Sequence, residues 1–359
     1  MIESVVSPAE LRARRLIFTH DGMPGYRRRR NGKGFSYLLP DGSLLRDASE
    51  RQRIVSLVIP PAYEAVWICT FPNGHLQATG IDSRGRKQYR YHPDWHALAA
   101  DKKFELLPAF VRALPRIRRR VRAALSRSAL DRERIIAGVV ALLDATGFRI
   151  GSHRYVKENK SFGLASLLSR HLSEEEGQWV IRFKGKSGKE HRADVADAKI
   201  ASLISELQEL PGQHLFQHED ESGGRRAIET TDVNAWLKEE GGGDFTAKQF
   251  RTWRATLLCA RELGKEPPPD AKSSRKRAET AAIRATAAAL NHTLATCRKY
   301  YIHPAILRAY RSGELHRVMA SRPPRMRKAD DSRLLRADER RVLFLLERYP
   351  VSKPRAKRA

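Results

Sequence analysis

Apolar residues recur along this chain in two rhythms, and the change falls near residue 95. Before it, short apolar stretches at 65–70 and 75–79 are bounded by Gly, Pro, Asp and Asn in "LPDGSLL" and "FPNGHLQATG". Short runs closed by such residues read as strands, with hairpin turns at PDG and PNG. After it the period becomes helical. In "RERIIAGVVALLDATGFRIG", Ile135, Ile136, Val139, Val140, Leu142 and Leu143 form a broad apolar stripe, and Gly147 ends the helix. Further helical patterns cover 197–210, 231–240, 246–263, 278–291 and 293–301. One segment interrupts them: in "QWVIRFKGKSGKEHRADV", Trp179, Ile181 and Phe183 alternate, KGKSGK turns, and 190–195 returns. That is a β-hairpin set among helices. "HEDESGGRRAIE" reads as a loop, and so does "GKEPPPDAKSSRKRAE", whose consecutive prolines break any helix.

The pattern predicts an α+β protein with a small β-rich N-terminal domain at 1–95 and a mostly helical domain with one β-hairpin at 96–320. A basic tail follows at 321–359, with one helix-like stretch, "LLRADERRVLFLLERY". The run YRRRR near residue 30 reads as a solvated loop or a phosphate-contacting arm.

Charge narrows the class of partner. The 359 residues carry a formal net charge of +27 with 41% apolar residues, too apolar for disorder throughout and basic enough to seek a polyanion. A membrane surface is the competing polyanion, but no apolar run reaches transmembrane length and no signal or lipidation pattern is seen. Nucleic acid is therefore the expected partner. Cys69, Cys259 and Cys297 are far apart, without a CxxC pair or a His/Cys cluster. They read as free thiols in a reducing cytoplasm rather than as zinc ligands.

Several segments together hold the parts for phosphoryl transfer to a tyrosine. Such a reaction needs arginines to take up charge growing on the phosphate oxygens, because their planar forks stay protonated. It also needs a general acid for the leaving sugar oxygen. Arg149 follows a helix at "GFRIG". Lys184, Lys186 and Lys189 sit at the hairpin turn. Lys248 and Arg251 in "FTAKQFRTWRAT" have i, i+3 spacing and share a helix face, backed by Phe250, Trp253 and Leu257. His292 precedes the pair Tyr300 and Tyr301 in "LNHTLATCRKYYIHP". Two adjacent helical residues point about 100° apart, so only one tyrosine can face a groove. Singly each feature is ordinary; their joint occurrence in a basic chain is not.

With "GFRIGSHRYVKENKSFGLASL", "FKGKSGK", "FTAKQFRTWRAT" and "LNHTLATCRKYYIHP" in this order, residues 34–315 resemble the type IB DNA topoisomerases, in their compact poxvirus-like and bacterial branch. The resemblance implies an isomerase that relaxes supercoiled duplex DNA. One strand is cut through a 3′-phosphotyrosyl intermediate and then religated, without ATP, metal or other cofactor. It assigns Tyr301 as nucleophile, Arg149 and Arg251 as the catalytic arginines, Lys186 as general acid, and His292 as a hydrogen-bond donor to a phosphate oxygen. Lys248 is the accompanying base, a histidine at 292 resembles the viral form, and Tyr300 stands where a smaller residue is usual. Tyr89 and Tyr91 in "QYRYH" match tyrosines that contact bases from a DNA-clamping N-terminal domain. Tyr155, Lys157 and Lys160 match a DNA-facing segment. The partner implied is double-stranded DNA, met by a monomer in the cytoplasm at the nucleoid. Because an ordinary tyrosine titrates near pH 10, the cationic pocket is expected to favour its phenolate. No dedicated base is identified.

Two other readings share part of the evidence. A tyrosine recombinase or integrase uses the same Arg–Lys–Arg–Tyr chemistry, but recombinases typically carry His-x-x-Arg where this chain has Lys248-x-x-Arg251, and their N-terminal domains are helical. A non-catalytic DNA-binding protein would need only the charge.

Overall fold

The computed structural model describes residues 6–220, 222–326 and 331–351. The described residues divide into two compact units, one up to Phe104 and the other from Glu105 to Val351.

The first unit is built on one five-stranded antiparallel sheet. Its elements are α1 (Pro8–Ala13), β1 (Gly25–Asn31), β2 (Gly34–Leu38), α2 (Ala48–Ser56), β3 (Glu64–Cys69), β4 (Leu76–Ile81), β5 (Lys87–Tyr91) and α3 (Pro93–Glu105). The strand order is β2-β1-β3-β4-β5. The PNG turn joins β3 to β4 as expected. At PDG there is a tight turn that closes only an isolated bridge between Leu38 and Leu44. The YRRRR run is neither loop nor arm: it is β1, paired with β2 on one side and β3 on the other. Tyr26 anchors it in the core, and Arg28 on the same side donates to the carbonyls of Ile59, Pro60 and Tyr63 while lying 4.2 Å over the Phe35 ring. Four consecutive charges hid this strand, because long arginine stems can cover a sheet face while their heads find backbone oxygens.

The second unit is mostly helical. It runs α4 (Leu107–Leu125), α5 (Arg132–Thr146), α6 (His153–Asn159), β6 (Leu172–Glu175), β7 (Gln178–Lys184), β8 (Glu190–Asp194) and α7 (Ala198–Gln208). It continues through β9 (Gln217–Glu219), β10 (Arg225–Ala227), α8 (Thr230–Gly241), α9 (Ala247–Gly264), α10 (Lys272–Ala289) and α11 (Leu294–Tyr300). It ends with α12 (Pro304–Arg311), α13 (Glu314–Ala320), α14 (Asp331–Leu334) and α15 (Ala337–Arg348). The apolar stripe of α5 is fully buried, and α5 and α9 form the centre of one large core. The hairpin β7–β8 is extended by β6 into a three-stranded sheet. Phe250, Trp253 and Leu257 of α9 are all buried.

Residues 337–348 depart from the expected tail. Val342, Leu343, Leu345 and Leu346 of α15 lie in the same core as α5 and α9. Glu339, 2% exposed, pairs with Arg118 of α4, which also holds Asp144 of α5. The helix is part of the second unit rather than a separate tail.

Candidate active site

Arg149 is placed by the end of α5. Gly147 takes the left-handed conformation (φ 67°) that terminates the helix, and its N–H closes on the Leu143 carbonyl at 2.9 Å. The next residues run alongside 163–165: Leu164 N donates to Arg149 O at 3.0 Å and Ala165 N to Ile150 O at 2.8 Å. Here two backbones nearly touch. A Cβ on Gly163 would lie 2.5 Å from Gly151 N and 2.6 Å from Arg149 O. Only glycine fits that approach, so "GFRIG…SFG" is a device that fixes where the Arg149 backbone sits.

Arg251 lies one turn into α9, at whose start Gln249 Oε1 accepts from the Thr246 N–H at 2.9 Å and from its hydroxyl at 2.8 Å. Arg251 is 3% exposed, and each of its three guanidinium nitrogens donates one hydrogen bond. Nη1 donates to Gly147 O at 2.7 Å, Nη2 donates to Leu290 O, and Nε donates to His292 Nε2 at 2.9 Å. One side chain thus ties together the ends of α5 and α10 and the loop that follows α10. Burial pushes Arg251 down to about 10; Arg149 adds to this, and the Tyr301 phenol opposes it by charge and hydrogen bonding.

His292 follows Asn291, which turns the chain after α10 with a left-handed φ of 52°. The imidazole lies between the two arginines, with Arg149 Nη2 3.5 Å from Nδ1. Its ring stacks on Tyr301, centroids 4.2 Å apart and planes 26° apart. The Arg251 Cζ lies 5.7 Å from the Tyr301 ring centre.

Tyr301 caps the C-terminus of α11 and is half-buried. Thr256 of α9 donates through Oγ1 to the Tyr301 carbonyl at 3.2 Å and accepts from His303 N at 3.1 Å. The helix that carries Arg251 therefore also fixes the backbone of Tyr301. Tyr300 faces elsewhere: it is 36% exposed, with the Lys299 ammonium 5.2 Å from its ring centre. Arg149, Arg251, His292 and Tyr301, drawn from four separate segments, form one contiguous cluster.

The remaining predicted residues lie outside that cluster. Lys186 is exposed at the β7–β8 turn, beside Ser187 with its φ of 65°, and takes no part in the hydrogen bonds just described. Lys248 is exposed at the start of α9 while Arg251 is buried, so the expected common face is split between rim and interior. Tyr155 is half-buried on α6, with Lys157 and Lys160 exposed at its end. Tyr89 and Tyr91 share a face of β5 and stack at 6.0 Å; Tyr89 is exposed, whereas Tyr91 also packs on Trp95. Cys259 and Cys297 are buried free thiols, pushed up by burial to about 12 and about 11 respectively. Sequence reasoning missed Thr256, Asn291 and His191. All three stand within or beside the quoted motifs, but their work is to hold other residues, and spacing carries no signal of that.

A fold of this kind around an Arg–Arg–His–Tyr cluster defines a protein that exchanges phosphodiesters through tyrosine. The family description "Eukaryotic DNA topoisomerase I, catalytic core" matches residues 93–320, and "Bacterial DNA topoisomerase IB, N-terminal domain" matches residues 34–82. DNA topoisomerase 1B of Acanthamoeba polyphaga mimivirus is 32% identical over 299 residues, covering 81% of this chain and 88% of the viral one. DNA topoisomerase 1B of vaccinia virus (strain Copenhagen) is 28% identical over 130 residues, covering 36% of this chain and 40% of the relative. The chain belongs to the type IB DNA topoisomerase family. No helix among the described residues is long and apolar enough to cross a membrane.

Proposed function

We propose that Tyr301 is the nucleophile with which this type IB topoisomerase cuts and reseals one strand of duplex DNA. The observation that carries this reading is the single contact chain Arg149–His292–Arg251 against the Tyr301 ring. The phenol oxygen attacks phosphorus, the P–O5′ bond breaks, and the DNA keeps a 3′-phosphotyrosyl link. Arg149, Arg251 and His292 donate to the non-bridging oxygens as their charge grows. The gain is largest where water is excluded, and Arg251 is deeply buried. The Lys186 ammonium gives its proton to the departing O5′ and recovers it when the 5′-hydroxyl attacks back. One phosphodiester is exchanged for another, so bond energy is retained and no nucleotide is consumed. Between the two steps the free end swivels and supercoils of either sign relax.

Lys248, Tyr155, Lys157 and Lys160 supply contacts to the DNA around the cluster, and Tyr89 and Tyr91 contact it from the five-stranded sheet. The exposed Lys186 meets the DNA rather than the resting cluster. The enzyme acts as a monomer at the nucleoid. In the decisive assay, wild type relaxes supercoiled plasmid in EDTA without ATP, whereas Tyr301→Phe binds the plasmid and leaves it supercoiled. Equal behaviour of the two proteins would leave a non-catalytic binding role, and strand exchange between two duplexes would favour a recombinase.

A further inference from the structure

One buried imidazole outside the cluster touches the segments just before Arg149 and His292 and the turn that carries Lys186. His191 lies on β8, opposite Phe183 on β7, and is 5% exposed. Its ring stacks on Phe183, centroids 4.9 Å apart and planes at 16°, and meets the edge of Phe148 at 4.9 Å and 70°. It lies so close to Gly185 that a Cβ there would be 2.7 Å from both Cδ2 and Nε2. On the far side Asn291 Nδ2 is 3.3 Å from His191 Nδ1, and the same amide donates to Glu190 O at 2.7 Å. Gly185, Phe148 and Asn291 immediately precede Lys186, Arg149 and His292.

We infer that His191 is a positioning residue that, with Asn291, seats the Lys186-bearing turn against the segments carrying Arg149 and His292. The inference rests on Lys186 being the general acid. An amide N–H₂ can only donate, so Nδ1 accepts and the ring is neutral, with its proton on Nε2. Arg251 and Arg149 reinforce that state: burial first, then these two charges, hold the imidazole down at about 4. A neutral, flat ring is what this junction needs. It fills the space left by the missing Gly185 side chain, it accepts from the loop before His292, and it adds no third cation beside the arginines. The turn itself is otherwise exposed, so this seat and the Gly185 N–Lys189 O bond at 2.8 Å define its base.

The test separates positioning of the acid from general loosening of the site. Single-turnover cleavage is measured on two duplex oligonucleotides, one natural and one with sulfur replacing the bridging 5′-oxygen at the cleaved linkage. A thiolate leaves with far less need of a proton, because thiols titrate near 8.5. Three variants are compared: Lys186→Ala, His191→Phe, which keeps an aromatic ring on Phe183 but removes the acceptor, and Asn291→Ala, which leaves the His191 ring untouched. On the natural linkage, His191→Phe and Asn291→Ala are expected to slow cleavage about tenfold to a hundredfold, as a misplaced catalytic group does. On the sulfur linkage both should return to within about threefold of wild type, together with Lys186→Ala, because no general acid is then required. Recovery by Lys186→Ala alone, or wild-type rates for both other variants on the natural linkage, overturns the inference. If Lys186→Ala itself does not recover, the general-acid reading of Lys186 fails, and that failure is visible separately. Should His191→Phe melt below the assay temperature, Asn291→Ala carries the comparison.

Discussion

Arg251 donates through Nε to His292 Nε2 at 2.9 Å, and the same guanidinium holds the carbonyls of Gly147 and Leu290. It is therefore a structural node as well as the proposed phosphate ligand. Arg149, half-buried, approaches His292 Nδ1 through Nη2 at 3.5 Å. The two arginines should separate on mutation. Arg251→Lys should lower cleavage by about a hundredfold or more and stability by about 2 kcal/mol, since a single ammonium cannot serve three divergent acceptors and leaves a buried carbonyl unpaired. Arg149→Ala should lower cleavage comparably while the melting temperature stays near wild type. Thermal unfolding beside single-turnover cleavage distinguishes them.

Gly163 faces Gly151 across a contact that no Cβ can enter. Gly163→Ala must push the segment carrying Arg149 aside. Its cost should appear mainly in the rate, about a hundredfold for a displacement near an ångström, with duplex binding less affected. Unchanged cleavage by the variant would mean that the glycine contact does not set the position of Arg149.

His191 also shapes the response to acid. Its folded value, about 4, lies below the ordinary 6.5, so between those limits the unfolded chain binds more protons than the folded one. Stability should fall as pH drops from 6.5 towards 4, with His191 responsible for on the order of 3 kcal/mol of the loss. His191→Phe should flatten that part of the urea-unfolding profile. A profile that keeps the wild-type slope would show that His191 does not titrate differently in the two states.

Glu339 is 2% exposed between Arg118 and Trp253, and burial of its carboxylate is outweighed by the Arg118 pairing, which lowers its pKa. Glu339→Ala should cost about 3 kcal/mol, because the buried guanidinium of Arg118 loses one of its two carboxylates. Denaturant melts would check this. Loss of α15 altogether should expose Val342, Leu343, Leu345 and Leu346 and unfold the unit.

Much of this was legible because it is periodic or glycine-marked. The α5 stripe, its Gly147 stop and the alternation of Trp179, Ile181 and Phe183 follow from side-chain geometry alone, and the cluster's four members sit at motif positions. What escaped is tertiary. The arginines of β1 look like a loop until Tyr26 and the carbonyls beneath Arg28 are in place. The helix α15 looks like tail because its charges mask a narrow apolar stripe. Lys248 and Arg251, neighbours by spacing, part because the Gly147 and Leu290 carbonyls draw only Arg251 inward. His191 and Asn291 give no sign in a linear reading, since their partners are 100 residues apart.

Tyr300 and Tyr301 are the sharpest pair of alternatives, one exposed beside Lys299 and the other stacked on His292. The most direct measurement is to stop plasmid relaxation with denaturant, digest the protein, and map the residue bonded to the 3′ end of the nicked DNA. Tyr301 should carry the phosphate, with Tyr300→Phe giving the same adduct and Tyr301→Phe giving none. Phosphate on Tyr300, or an adduct that survives Tyr301→Phe, would contradict the account.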